Sequence, residues 1–138
     1  MPGDSSDVDM AQVKALAAEL GGVGARVRPA VKAVITKGAL NIKNAARDAI
    51  LADTRHVFVK QYPYSITYDV SVGAGAMVTA EIGPDKDKPQ GALGNLLEYG
   101  SSKNAPIPHL NPAFDAEIDS TEMWIGKAGE DAVFGGGG

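Results

Sequence analysis

From Val31 onward the apolar residues Val34, Ile35, Gly38, Ile42, Ala45, Ala46, Ala49 and Ile50 recur at steps of three and four, with Lys32, Lys37, Lys43 and Arg47 between them. That period marks one face of a helix. Pro29 suits its first turn, where a missing N–H costs nothing. A long helix over 29–52, roughly 36 Å, is expected. Its stripe is mostly small residues, so a neighbouring helix can approach closely while each position contributes modest burial energy. Upstream, Ser6 and Asp9 have capping-box spacing, Met10, Val13, Ala17 and Leu20 follow at helical steps, and Gly21-Gly22 ends the run. A short amphipathic helix over about 7–20 is predicted.

The period then changes to two. Tyr64, Ile66, Tyr68, Val70 and Val72 alternate with Ser65, Thr67, Asp69 and Ser71, and Val78, Ala80 and Ile82 alternate with Thr79 and Glu81. Both stretches read as strands, joined as a hairpin through the glycine-containing 73–76 loop. Val57 and Val59 suggest a weaker third strand. GPDKDKPQG, 83–91, has loop composition. Leu93, Leu96 and Leu97 suggest a short helix ending at Gly100. The 101–108 stretch must be largely extended, because residues before Pro106 and Pro108 avoid the helical region. Asn111 and Pro112 read as N-cap and first residue of a last helix, with Asp115 and Glu117 at its positive end and Phe114, Ile118, Ile125 and Ala128 as its stripe. The expected class is α+β: N-terminal helices including one long helix, an antiparallel hairpin or small sheet, a short helix and a C-terminal helix. No internal repeat is seen.

The 138 residues suit one domain, expected over 1–134, with 1–7 flexible and 135–138 a loose glycine tail. Hydrophobic residues at 44% and charged residues at 22% argue against wholesale disorder. Without cysteine, disulfides and thiolate metal sites are excluded. Met1–Asp9 lacks the features of a secretory signal, and no apolar run approaches the ~18 residues that span a bilayer, so no membrane partner is expected.

The net charge of −4 is unevenly spread. Residues 26–60 hold eight Lys/Arg against two Asp/Glu, a local +6, whereas 104–138 hold one against six, a local −5. The two segments either pack together within one chain or meet head to tail between copies.

Catalytic constellations are nearly absent. His56 and His109 lie in different segments without a third ligand or HExxH spacing, and each is expected to be structural or superficial. Asp85-Lys86-Asp87 opens like a calcium loop but lacks the glycine and terminal Glu at EF-hand spacing. Gly91–Gly94 and Gly73–Gly75 match neither a dinucleotide fingerprint nor a phosphate loop, and no serine sits in GxSxG or SxxK. Asp115 and Asp119 share a helix face and are expected to face water. No enzyme activity, catalytic residue, metal, cofactor or small-molecule substrate is expected.

At 96–117 the chain reads LLEYGSSKNAPIPHLNPAFDAE. Here it resembles the small tail-component, or tail-completion, proteins of the head-tail joining region of long-tailed double-stranded DNA bacteriophages and prophages. In that family a short helix ends in Glu-Phe/Tyr-Gly, a proline-containing segment follows, and a final helix opens on Leu-x-Pro-Ala-hydrophobic-Asp. The matching residues are Glu98-Tyr99-Gly100, then Ala105-Pro106 and Pro108, then Leu110 to Asp115. The motif covers about a sixth of the chain, and the element plan is loosely similar over 8–125. Three departures stand out: His109 where an aromatic is common, Asn111 where a basic residue is common, and Thr54-Arg55-His56 in place of a Gly-Leu turn.

The resemblance implies a structural virion protein that completes or joins the tail, acting as a ring, of six copies as the family's six-fold tail implies, in contact with stopper, tail-terminator and tail-tube proteins. It would reside in the virion neck, and in the host cytoplasm during assembly. Glu98, Tyr99, Gly100, Pro106, Pro108, Leu110, Pro112 and Phe114, with Asp85 and Lys86 of the loop, are the candidate interface. The same residues also make sense as scaffold, with Gly100 ending one helix and Asn111-Pro112 starting another. Glu98 and Tyr99 are the strongest candidates for a partner contact. Two other classes compete: a small binding or regulatory module using the basic 26–60 helix against nucleic acid, and a hydrolase built on His109 and Asp115.

Overall fold

The computed structural model describes residues 14–19, 28–73 and 77–130. In chain order these form strand β1 (Lys14–Glu19), helix α1 (Arg28–Ala52), 3-10 turns at Thr54–Phe58 and Tyr62–Ser65, strands β2 (Ile66–Val72) and β3 (Met77–Pro84), a 3-10 turn at Gly91–Leu93, the short helix α2 (Gly94–Tyr99) and helix α3 (Leu110–Glu130). The long helix, the antiparallel hairpin, the short helix and the terminal helix are those the two periodicities predict. The expected loose 1–7 and 135–138 segments and the Gly21-Gly22 stop lie outside the described residues.

α1 runs for 25 residues, about 37 Å. Val31, Ile35, Gly38, Ala39, Ile42, Ala46 and Ile50 are its buried residues, a single stripe in which the largest side chain recurs about every second turn. The small residues between them let α3 pack closely. The two helices run antiparallel, with Asn41 opposite Glu117 and Ala33 and Val34 near Trp124. The basic and acidic segments therefore lie side by side within one chain. The Asn41 amide donates to the Glu117 carboxylate at 2.9 Å.

β3 is the centre of a three-stranded antiparallel sheet ordered β1-β3-β2, pairing Tyr68 with Ile82 on one side and Lys14 with Ile82 on the other. Val78, Ala80 and Ile82 are fully buried against the helices, while Met77 and Glu81 on the opposite face are exposed. Period two thus delivers one dry face and one wet one. Ile66 continues the dry face, and burial fades along β2 towards the hairpin tip. Ile107, Leu110 and Ala113 close the core from the C-terminal side.

Four expectations need correction. Residues 14–19, within the predicted 7–20 helix, form a strand. Without β1, the backbone groups along one side of β3 would be unpaired next to the core. The alanine-rich KALAAE favours a helix locally, and the sheet pairing overrides it. Val57 and Val59 belong to no strand: the Asp53 carboxylate accepts the Arg55 N–H at 2.8 Å and the Asp53 carbonyl accepts the His56 N–H at 3.0 Å, winding the chain into a 3-10 turn. Tyr64 lies before β2 and is exposed, with the Arg47 guanidinium 5.3 Å from its ring centre. Finally, α3 begins at Leu110, so Asn111 is inside the helix and is not its cap.

Candidate functional site

The cap of α3 comes from elsewhere in the chain. The first turn of a helix exposes about four N–H groups with no partner inside the helix. Here Glu98, on α2, reaches across the joint. One of its carboxylate oxygens accepts the Leu110 N–H at 2.8 Å and the His109 N–H at 3.2 Å, and the other accepts the Asn111 N–H at 3.2 Å. The next residue, Pro112, has no N–H to satisfy. Every donor of the turn is thereby accounted for. The carboxylate also sits at the positive end of the helix dipole, although it is only 3% exposed.

The rest of the elbow follows from Gly100. The chain leaves α2 through Gly100 at φ 76° and ψ −174°, after its N–H bonds the Leu96 carbonyl at 2.7 Å. The positive φ is the one expected, but ψ is extended, a combination nearly restricted to glycine. It turns the chain sharply into a loop in which the Ser101 hydroxyl accepts the Asn104 N–H at 3.1 Å and the Ser101 N–H bonds the Asn104 carbonyl at 2.9 Å. The following strand-like segment is pinned to α2 by the Ile107 N–H on the Leu97 carbonyl at 2.6 Å. From the other side Arg55, held by Asp53 at 2.8 Å, donates to the Ala105 carbonyl at 3.0 Å.

Under the elbow lies a buried polar chain. His109 Nδ1 is 2.8 Å from the Ile107 carbonyl and 3.0 Å from the Glu98 carboxylate, both of which can only accept, so Nδ1 carries the proton. Nε2 is then the acceptor for the Tyr62 hydroxyl at 2.6 Å, and the two rings meet edge to face at 5.3 Å. Burial lowers the His109 pKa below its ordinary 6.5, outweighing the Ile107 carbonyl and the Glu98 charge, which raise it. The contact with Glu98 is accordingly a neutral imidazole donating to a carboxylate. Burial and then the Glu98 charge push the Tyr62 phenol up, keeping it a donor.

A pH dependence follows. The unfolded chain binds a proton on His109 near pH 6.5 while the folded chain resists it, so the stabilisation is complete above that pH and is lost as pH falls through the lower folded value. The urea midpoint should fall between about pH 7 and about pH 5, and His109→Asn, less stable at neutral pH, should lose most of that slope. Asp53 acts in a separate window: Arg55 holds it down to about 2 from 3.8, so its contribution disappears only in stronger acid.

The candidate interface residues divide sharply. Glu98 and Leu110 are buried and fully engaged inside the chain, which corrects the expectation that Glu98 anchors a partner. Pro106, Pro108 and Pro112 stand exposed on the outside of the elbow, Tyr99 is half exposed, and Phe114 is half-buried against the core. The Tyr99 hydroxyl accepts from the Asn111 amide at 3.3 Å. Asp85 and Lys86 lie apart, on a loop held down rather than projecting: the Asp85 N–H bonds the Ser65 carbonyl, and Gln90 accepts the N–H groups of Gln61 and Tyr62 at 2.8 and 3.1 Å. Gly91 passes so close to Asp85 that an added Cβ would meet its carbonyl oxygen.

Sequence reasoning missed Tyr62, Arg55 and Phe58. Tyr62 and His109 are 47 residues apart, and no local spacing links them. Phe58 had a signal, the apolar Val57-Phe58-Val59 run. Its ring is 80% exposed at the rim of a groove of about 280 Å³ that Leu96, Leu97 and Ile107 also line. A second groove, about 440 Å³, lies between α1 and α3 beside Trp124, where the buried Thr121 hydroxyl has no partner.

His109 and Asp115 do not form a reactive pair. Both ring nitrogens of His109 are taken inside the core, and Asp115 is exposed on α3. The basic segment is likewise partly committed: Arg47 donates to the carbonyls of Pro63 and Ile66, Arg55 pairs with Asp53, and Lys43 lies over the Tyr68 ring. Among the described residues no cluster of three metal-ligating side chains occurs, and no helix is long and apolar enough to cross a membrane. No family model, curated protein or solved structure matches the chain.

Proposed function

We propose that this chain is a structural protein of the head-tail junction of a long-tailed bacteriophage, a subunit that assembles with copies of itself into a ring which completes the tail or joins it to the head. The reading rests on the resemblance at Leu96 to Glu117. One observation carries it: the resembling residues form a rigid joint that fixes α3 on the body of the molecule through Glu98. A ring subunit needs such a joint, because small angular errors between identical copies accumulate around a closed circle. Pro106, Pro108, Pro112 and Tyr99 are among the motif residues exposed on the outer surface, with Ala105 and Asp115. Six copies, with stopper, tail-terminator and tail-tube proteins above and below, is the arrangement the resemblance implies. The chain would work in the virion neck by shape and contact, without turnover.

The nucleic-acid reading is weaker, since Arg47 and Arg55 are engaged within the chain and α1 lies beside the acidic α3. Electron micrographs of particles assembled without the protein test the proposal. Unjoined full heads and tails are expected. Normally joined virions would contradict it.

A further inference from the structure

β2 is an outer strand with an unused edge. Its bonds to β3 are fixed at both ends: the Ser65 carbonyl accepts the Asp85 N–H at 2.8 Å, and the Gly73 N–H reaches the Met77 carbonyl at 2.8 Å. The register runs without a bulge between them, and in an antiparallel pair every second residue bonds the neighbouring strand. Residues 65, 67, 69, 71 and 73 therefore face β3. The N–H and C=O groups of Ile66, Tyr68, Val70 and Val72 point the other way. Those of Ile66 are taken, by the Pro63 carbonyl and the Arg47 guanidinium. Those of Tyr68, Val70 and Val72 have no partner among the described residues.

Such an edge is a template for another strand. Folded chains commonly block it with proline, lysine or a bulge, and Ile66–Val72 has none of these. The other outer strand, β1, has α3 packed against it. The side chains that accompany the open edge are apolar: Tyr68 and Val70 are half-buried, and Val72, at the far end, is 41% exposed.

The edge fits itself. Two copies related by a two-fold axis at Val70 would set Tyr68 opposite Val72, Val70 opposite Val70 and Val72 opposite Tyr68, each pair exchanging both of its bonds, six in all. Apolar then meets apolar on the helix side, with an aromatic against a β-branched residue, a favourable cross-strand pair. On the other side Asp69 meets Ser71. Moving the axis to Asp69 or Ser71 leaves four bonds among the described residues, and at Asp69 it sets two carboxylates face to face, which is unfavourable. Lys43 and Arg47 stay with their own chain, over the Tyr68 and Tyr64 rings.

We propose that β2 pairs antiparallel with β2 of a second copy of this chain, centred on Val70, so that two three-stranded sheets become one of six strands. This goes beyond the ring reading, because a two-fold contact closes on a dimer whereas a ring needs a different, head-to-tail one.

Sedimentation velocity of the full chain should give twice the 14.2 kDa chain mass, or an even multiple of it where rings form as well. In the same sample the Tyr68, Val70 and Val72 amides should exchange as slowly as those facing β3. Val70→Pro removes an N–H that bonds nothing within the chain, at an edge position where proline is tolerated. It should halve the mass and free the Tyr68 and Val72 amides, while Asp69 and Ser71 stay protected and so report an intact sheet. Val72→Lys replaces it if the proline variant does not fold. A chain that stays monomeric at millimolar concentration, rapid exchange at the three amides in an assembled chain, or a folded variant that keeps its mass would each overturn the pairing. None of these outcomes decides the ring reading, which the micrographs test.

Discussion

Replacing Glu98 with alanine should destabilise the fold by about 4 kcal/mol, since each buried polar group left without a partner costs about 1 to 3 kcal/mol and the losses are not fully additive. Three backbone N–H groups lose their acceptor together, and His109 Nδ1 loses one of two. Water cannot readily substitute where the side chain was 3% exposed. Glu98→Gln should recover part of the loss, because one amide oxygen can still accept while the NH2 group faces donors. Urea denaturation measures both. A loss for Glu98→Ala under about 1 kcal/mol, the size of an ordinary exposed cap, would mean the carboxylate is not what holds α3.

Gly100→Ala should cost about 3 kcal/mol or more, from backbone strain in a region nearly closed to other residues and from a clash that cannot be relieved by a rotamer change. An added Cβ would lie 2.8 Å from the Asn104 carbonyl oxygen and 2.8 Å from the Pro106 nitrogen, both main-chain atoms. To relieve this the Ser101 to Pro106 segment must move outward, drawing His109 away from Glu98. The double variant with Glu98→Ala should therefore lose less than the sum of the two, since both substitutions break the same joint. Denaturation of the four-member cycle reads this directly. Strict additivity would show that the glycine and the carboxylate act on separate structures.

Much of the fold was legible because it is written in local periods. The stripe from Val31 to Ile50 and the alternation from Val78 to Ile82 locate α1 and β3 without knowledge of their neighbours, and Gly100 marks the end of α2. The joint was only half legible. Its outline, helix then Gly100 then prolines then helix, follows from backbone restrictions that single residues impose. Its chemistry does not, because a cap is sought within three residues of a helix start, and Glu98 lies 12 residues before Leu110. Asn111, with a good capping side chain in the right place, was the local solution; the structure uses the longer-range one and starts the helix at Leu110, two residues sooner than Pro112. β1 was missed for the related reason that an alanine-rich segment carries its own helical preference but not the unpaired edge of β3. Tyr62 and His109 illustrate the same gap, a pair that exists only after the chain has folded.

The exposed residues are harder to place than the buried ones. Helical spacing puts Phe114 on the α3 stripe that packs against the core, whereas the Val57-Phe58-Val59 run has no period that places Phe58, which is 80% exposed. Burial depends on where neighbouring elements end. The 3-10 turn holding Phe58 is itself set by Asp53 and Arg55, which send the chain across the elbow instead of into the sheet.

The most direct measurement on the joint is amide hydrogen exchange at His109, Leu110 and Asn111. If Glu98 caps α3 as described, these three N–H groups should exchange as slowly as the amides of Ile42 and Ala80 in the core, opening only when the whole domain unfolds. Exchange at the rate of a frayed helix end, with the core still protected, would show that the elbow is loose and that α3 is not fixed on the body of the molecule.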